Sequence, residues 1–253
     1  MKLGIVQGRL SPPVEGFQEC PKDWEKEFNT LDSLGLKHIE WIVTKQSFKD
    51  NPLFYVDLSK YPISSVCADN LIDTYIANDS FLEKNLTPIC EHALKNGIPC
   101  ITIPLLEDSS MNCPHMRCQF LHIIKYYADK YNDLIFSFEI ESHEYVIKDI
   151  IYARENFKLT YDTGNMTSLG IDHEYYIDKF HEKINNVHLK DRTFNGETVV
   201  PGKGKTDFEK IFDILLDNKY SQSYTIQTAR EESGCEIDTI KKHMVVLKDF
   251  YHD

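Results

Sequence analysis

Two periodicities alternate along this chain. Short runs rich in β-branched and aromatic residues are followed by longer stretches whose apolar residues recur at helical spacing, which is the order of βαβ units. The strand-like runs are LGIVQ (3–7), HIEWIV (38–43), ISSVCA (63–68), CITIPL (100–105), LIFSFEI (134–140), KLTYD (158–162), NVHLK (186–190) and YTIQT (224–228). Between them, PKDWEKEFNTLDSLG carries Trp24, Phe28, Leu31 and Leu34 on one helical face, and TDFEKIFDILLDN repeats the stripe with Phe208, Ile211, Phe212 and Leu215. Gly35, Gly97 and Asn218 fall where such helices should stop. Eight strand–helix units in 253 residues leave roughly 32 residues each. No linker or low-complexity stretch divides the series. The pattern predicts a single domain over 1–253, an α/β fold of the (β/α)8 TIM-barrel type. An open doubly wound sheet would need a glycine-rich turn after its first strand, and GIVQGRL lacks G-x-G-x-x-G.

Charge narrows the partners. Asp and Glu number 40 against 28 Lys and Arg, a formal net charge of −12, and no Lys/Arg run exceeds a pair, so nothing attracts a phosphate backbone. Nucleic acid is not an expected partner. The start, MKLGIVQGRLSPP, has before Gln7 one basic residue, Lys2, and a short apolar stretch, which fails the signal-peptide and membrane-helix length tests. A soluble, cytoplasmic protein with no membrane partner is expected. Seven irregularly spaced cysteines suit reduced thiols better than a disulfide framework. CPHMRC, Cys113 to Cys118, has metal-binding letters, but only three of them in a helical context, too few for a zinc site.

In a parallel barrel the active site lies at the C-terminal ends of the strands. Four successive strand ends carry groups able to hold a cation: Glu139, Asp162, His188 and Gln227. Two carboxylates, an imidazole and an amide oxygen form a mixed set suited to one divalent ion of Mn, Mg, Co or Zn. Any one of them could simply terminate a strand, with His188 a satisfied core histidine. Four together argue for a site.

FSFEIES, LTYDTGN, NVHLKDR and VPGKGKTDFEKI resemble the xylose-isomerase-like barrels, a group of sugar-phosphate isomerases, sugar epimerases and relatives of apurinic-site endonucleases. The resemblance runs from GIVQGRLSP to the eighth strand. It implies that Glu139, Asp162, His188 and Gln227 hold the metal, with Gln227 standing where such epimerases carry a second glutamate. Glutamine can offer an oxygen but cannot take a proton, so the two-base epimerase mechanism loses one partner while Glu139 keeps the role of base. The resemblance further implies that Lys190, Asp191 and Arg192 line the pocket, Lys190 being a candidate acid. Asn165 and Arg230, beside the ligand positions, complete the expected substrate-binding set.

Other residues offer less. Gln7 and Arg9 end the first strand, where Arg9 could fork onto a phosphate or carboxylate or form a structural salt bridge. Trp41 could be a sugar platform or a core residue. PGKGKT lacks the first glycine of a nucleotide phosphate loop, since Val199 stands there, but its N–H groups could face a phosphate near the seventh strand. The leading expectation is a metal-dependent isomerase or epimerase of a small sugar, sugar phosphate or polyol, acting through an enediolate. A barrel that binds a sugar-like ligand without turnover is the alternative. An endonuclease-like phosphodiesterase fits poorly, since Asn165 and CADN lack the histidines that subgroup uses.

Overall fold

In the computed structural model, which describes residues 1–13 and 20–251, eight parallel strands close into a barrel. They are β1 (Lys2–Val6), β2 (Ile39–Ile42), β3 (Ile63–Cys67), β4 (Cys100–Leu105), β5 (Ile135–Ile140), β6 (Phe157–Asp162), β7 (Ile184–Leu189) and β10 (Ser223–Ile226). Each lies within two residues of its expected bounds. The helix Glu25–Leu34 buries Phe28, Leu31 and Leu34 and ends at Gly35, whose N–H returns to Leu31 and Asp32. The helix Phe208–Asp217 buries Phe208, Ile211, Phe212 and Leu215 and ends at Asn218. The periodicity does not anticipate a hairpin of β8 (Asp191–Arg192) and β9 (Thr198–Val199) beyond β7, or the six-residue helix Thr163–Ser168 directly after β6.

The strand register shows where the apolar core sits. Glu40 pairs Ser65, Cys67 pairs Thr102, Thr102 pairs Ser137, Glu139 pairs Thr160, and Asp162 and Thr225 both pair His188. In parallel strands, paired residues share a face and side chains alternate. One face therefore carries Glu40, Ser65, Thr102, Ser137, Thr160 and Thr225, and this is the barrel interior. The opposite face, with Trp41, Val66, Ile103, Phe138, Tyr161 and Leu189, packs fully buried against the helices. The lumen is held by hydrogen bonds: Glu40 Oε1 accepts from Ser65 Oγ at 3.0 Å and Thr102 Oγ1 at 2.6 Å, and Thr225 Oγ1 donates to Asn186 Oδ1 at 2.9 Å. A polar lumen puts ionisable groups at its upper rim on a fixed, low-dielectric floor. No helix among the described residues is long and apolar enough to cross a membrane.

Candidate active site

Glu139, Asp162 and His188 converge at the C-terminal rim, all buried, with one potential ligand atom from each lying within 4.8 Å of the others. Every member has one heteroatom fixed and another left toward the centre. Glu139 Oε1 accepts from Asn165 Nδ2 at 2.9 Å, while Oε2 faces His188 Nδ1 at 3.4 Å without hydrogen-bond geometry. Asp162 Oδ1 caps the helix Thr163–Ser168 by accepting from the Asn165 N–H at 2.8 Å, and Oδ2 lies 2.7 Å from Lys190 Nζ. His188 Nε2 meets Glu40 Oε2 at 2.6 Å, which leaves Nδ1 buried with no hydrogen-bond partner.

Glu40 is the residue of this candidate group that the expected set left out. A glutamate in the middle of HIEWIV, fully buried, must have a partner, and that was the available signal. Burial alone would raise its carboxyl, but His188, Thr102 and Ser65 hold it below the ordinary value. Burial opposes charge on His188 too, yet Glu40 and Glu139 raise its pKa to about 10. A carboxylate on Nε2 is the arrangement that orients a metal-binding imidazole and strengthens it as a ligand.

These residues fit a divalent cation. The unpartnered Nδ1 and the two inward carboxylate oxygens are the donor set, and a cation at Nδ1 would take the place of the ring proton. Formal charges agree: Glu40, Glu139 and Asp162 contribute −3 and Lys190 +1, leaving −2 for a dication to balance with His188 neutral.

A cleft of about 740 Å3 opens over the group, a volume suited to a small molecule. Glu139, Lys190, Arg192, Gln227, Arg9 and Arg230 line it. Register puts Gln227 two residues beyond Thr225, hence on the inward face shared with His188. Asn165 sits beneath the cleft, bridging Glu139 and Lys190 Nζ, the latter at 3.5 Å.

Three expected site residues have other places. Trp41 packs edge-on against Trp24, donates from Nε1 to Asn51 Oδ1 at 2.8 Å, and is fully buried away from the cleft lining. Gln7 Oε1 accepts from the Ile42 N–H at 3.1 Å, tying β1 to the end of β2. Asp191 is fully buried and accepts from the N–H groups of Gly202 at 2.9 Å, Gly204 at 2.8 Å and Thr206 at 3.1 Å. At Gly204 a Cβ would stand 2.1 Å from Asp191 Oδ1, so only glycine allows that approach. The N–H groups of PGKGKT thus already hold an internal anion. Cys113 and Cys118 are exposed at the start of a helix and form no ligand group among the described residues.

A closed parallel barrel with a buried carboxylate–carboxylate–imidazole group at its C-terminal rim defines a class of TIM barrels with a candidate metal group at that rim. Within that class, residues 123–249 match the model of the xylose isomerase-like TIM barrel family, half of the chain and every one of the four expected ligand positions. The chain belongs to that family. Among curated proteins it is 29% identical over 113 residues to an inosose dehydratase of Clostridium botulinum, 37% of this chain and 38% of that protein. The chain matches only about a third of the length of its curated relatives. Among solved structures it superposes on an IolI protein with a bound zinc atom, with TM-score 0.75, 15% identity and full coverage of both chains. It also superposes on an L-ribulose 3-epimerase, with TM-score 0.73, 14% identity, and coverage of 98% of this chain and 95% of that one.

Proposed function

We propose that this chain is a metal-dependent isomerase or epimerase of a small sugar-like carbonyl compound, with Glu139 as its single carboxylate base. The observation that carries the reading is the convergence of Glu139, Asp162 and the unpartnered Nδ1 of His188 beneath a cleft of small-molecule size. Gln227 completes the ring of donors on the β10 side. Glu139, Asp162 and His188 would hold a divalent cation there, which would supply electrostatic stabilisation to substrate oxygens. Glu139 removes the proton from the carbon beside the carbonyl. Asn165 holds its other oxygen, so the proton-accepting edge has a fixed direction. Lys190, an ammonium against Asp162, faces the developing oxyanion and can return a proton.

Because Gln227 cannot take a proton, one-base outcomes are favoured: transfer between neighbouring carbons by Glu139, or loss of a β-hydroxyl as water. The second reading, a dehydratase, is favoured by Gln227 together with the name of the curated relatives. The test is metal analysis of purified protein followed by incubation with ketoses, aldoses and cyclic polyol ketones in D2O, read by NMR. Solvent deuterium in an isomerised sugar supports the first reading, and an unsaturated or deoxy-keto product supports the second. Binding without exchange on any member of the panel, or protein that retains no divalent metal, would overturn the proposal.

A further inference from the structure

Arg9, half-buried with its Nε fully enclosed, stands apart from the other enclosed cations among the described residues. Burial and the neighbouring Arg230 lower its pKa to about 10, so it stays charged at neutral pH. Its Nε is buried with no hydrogen-bond partner, and no described carboxylate forms an ion pair with it. Its backbone is nonetheless held on both sides. Gly8, at φ 85°, donates to Glu27 Oε2 at 2.9 Å, and Leu10 donates to Glu27 Oε1 at 3.0 Å. Arg230 donates to the carbonyls of Gly8 and Ser11. Glu27 itself is buried, and its carboxyl is raised by that burial. Two ionisable side chains, the buried Glu27 from the helix Glu25–Leu34 and the half-buried Arg230 from beyond β10, are spent on fixing a four-residue loop whose remaining charged side chain faces the cleft.

A guanidinium that is preorganised, partly desolvated and without a counter-charge among the described residues is a receptor for an anion. We infer that Arg9, with Arg230 beside it, binds an anionic group of the substrate, a carboxylate or a phosphate, at the β1–β10 side of the cleft. Its carbonyl end then lies over Glu139 and Lys190, on the β5–β7 side. The substrate class is a sugar acid or sugar phosphate in place of a neutral sugar. The 202–206 loop does not compete for this role, since Asp191 already fills it. The inference rests on the sugar-like ligand proposed above, but not on its turnover.

The test measures binding by calorimetry on the full chain at low ionic strength, using pairs that differ only in charge. D-ribulose 5-phosphate is paired with D-ribulose, and 2-keto-D-gluconate with D-fructose. Wild type is expected to bind one anionic member at least tenfold more tightly than its neutral partner, and whichever pair shows the contrast tells phosphate from carboxylate. Arg9→Gln should bring that ratio to near one with the neutral sugar unaffected, and Arg9→Lys should restore part of it. Glu139→Gln should leave the ratio intact, so a failure of the catalytic reading is separable from a failure of this one. Equal affinity within both pairs in wild type, no millimolar binding by any member, or a ratio that survives in a folded Arg9→Gln would overturn the inference. The wild-type comparison alone decides the matter should Arg9→Gln not fold.

Discussion

Two stretches of the barrel's rim offer donors to an anion, and they are finished differently. Between Gly202 and Thr206, three N–H groups converge on the buried carboxylate of Asp191. At the end of β1, Arg9 rides on a loop equally well held by Glu27 and Arg230, yet its Nε meets no acceptor. The glycine-rich loop is complete within the chain, whereas the arginine is left open. A buried donor set satisfied by an internal carboxylate adds stability, while a buried charge without a counter-charge subtracts from it. A fold keeps the second kind of feature for something outside itself. The same reasoning distinguishes Glu40, whose oxygens are all engaged, from His188 Nδ1, which is not.

The largest expected effect belongs to the open candidate metal group. Glu139→Gln keeps the oxygen that Asn165 holds but removes the proposed base, so turnover on any substrate found should drop by about 10²–10⁴-fold. Steady-state kinetics with metal content measured in parallel would check it. Activity within a few-fold of wild type at full metal occupancy would show that another group abstracts the proton.

Next in size is the closed region. Asp191→Ala leaves three backbone donors without an acceptor and should cost about 3–5 kcal/mol, since each lost charge-assisted bond is worth on the order of 1.5–3 kcal/mol before relaxation. Urea unfolding midpoints measure it. A loss under about 1 kcal/mol would mean that solvent replaces Asp191, and the contrast with Arg9 would then lose one of its two sides.

How much of this was legible beforehand differs along the chain. The eight strands and their helices follow from alternation and helical stripes, and all eight lie where the pattern placed them. The chemistry-bearing positions Glu139, Asp162 and His188 were legible because barrel geometry turns strand ends into a list of candidates. Glu40 was hidden by its apolar neighbours: a search for polar groups at strand ends steps over one in mid-strand. Asp191 and Trp41 show the converse, because a charged or aromatic residue close to a site has the same letters whether it faces ligand, backbone or core, and for Trp41 both places stayed open. Only the register and the partners decide, and a hairpin of two-residue strands such as β8–β9 has no period to read.

A smaller effect comes from satisfied but neutral groups. Burial lowers His38 and His173 to about 4, from an ordinary value near 6.5. His173 sits between Tyr161 Oη at 2.7 Å and Thr167 Oγ1 at 3.0 Å, and His38 lies 3.3 Å from Thr225 Oγ1. The unfolded chain takes up these protons before the folded one does. The stability each ring contributes is therefore fully present above about pH 6.5 and is lost as the pH falls toward 4, on the order of 1–3 kcal/mol per ring. Unfolding midpoints at pH 7 and pH 5 should show the loss, and His173→Gln should flatten the slope. A slope unchanged in that variant would place the titration elsewhere.

The smallest expected effect is the one that sharpens the comparison most. Were Arg9 a structural residue like Asp191, truncating its charge to Arg9→Gln would cost about as much as losing a buried charge-assisted bond, roughly 1.5–3 kcal/mol. As an open receptor its Nε has no bond to a described residue to lose, and the variant should unfold within about 0.5 kcal/mol of wild type or somewhat above it, because the desolvated charge and its repulsion by Arg230 are gone. The anion dependence should move in the opposite direction. Raising inorganic phosphate at constant ionic strength stabilises wild type through binding to the folded state, by about 2.7 kcal/mol at a hundredfold excess over Kd, and should leave Arg9→Gln nearly unmoved. Paired unfolding curves with phosphate or with a matched concentration of chloride separate the two. A variant that is destabilised and still responds to phosphate would place Arg9 in the fold and the anion somewhere else.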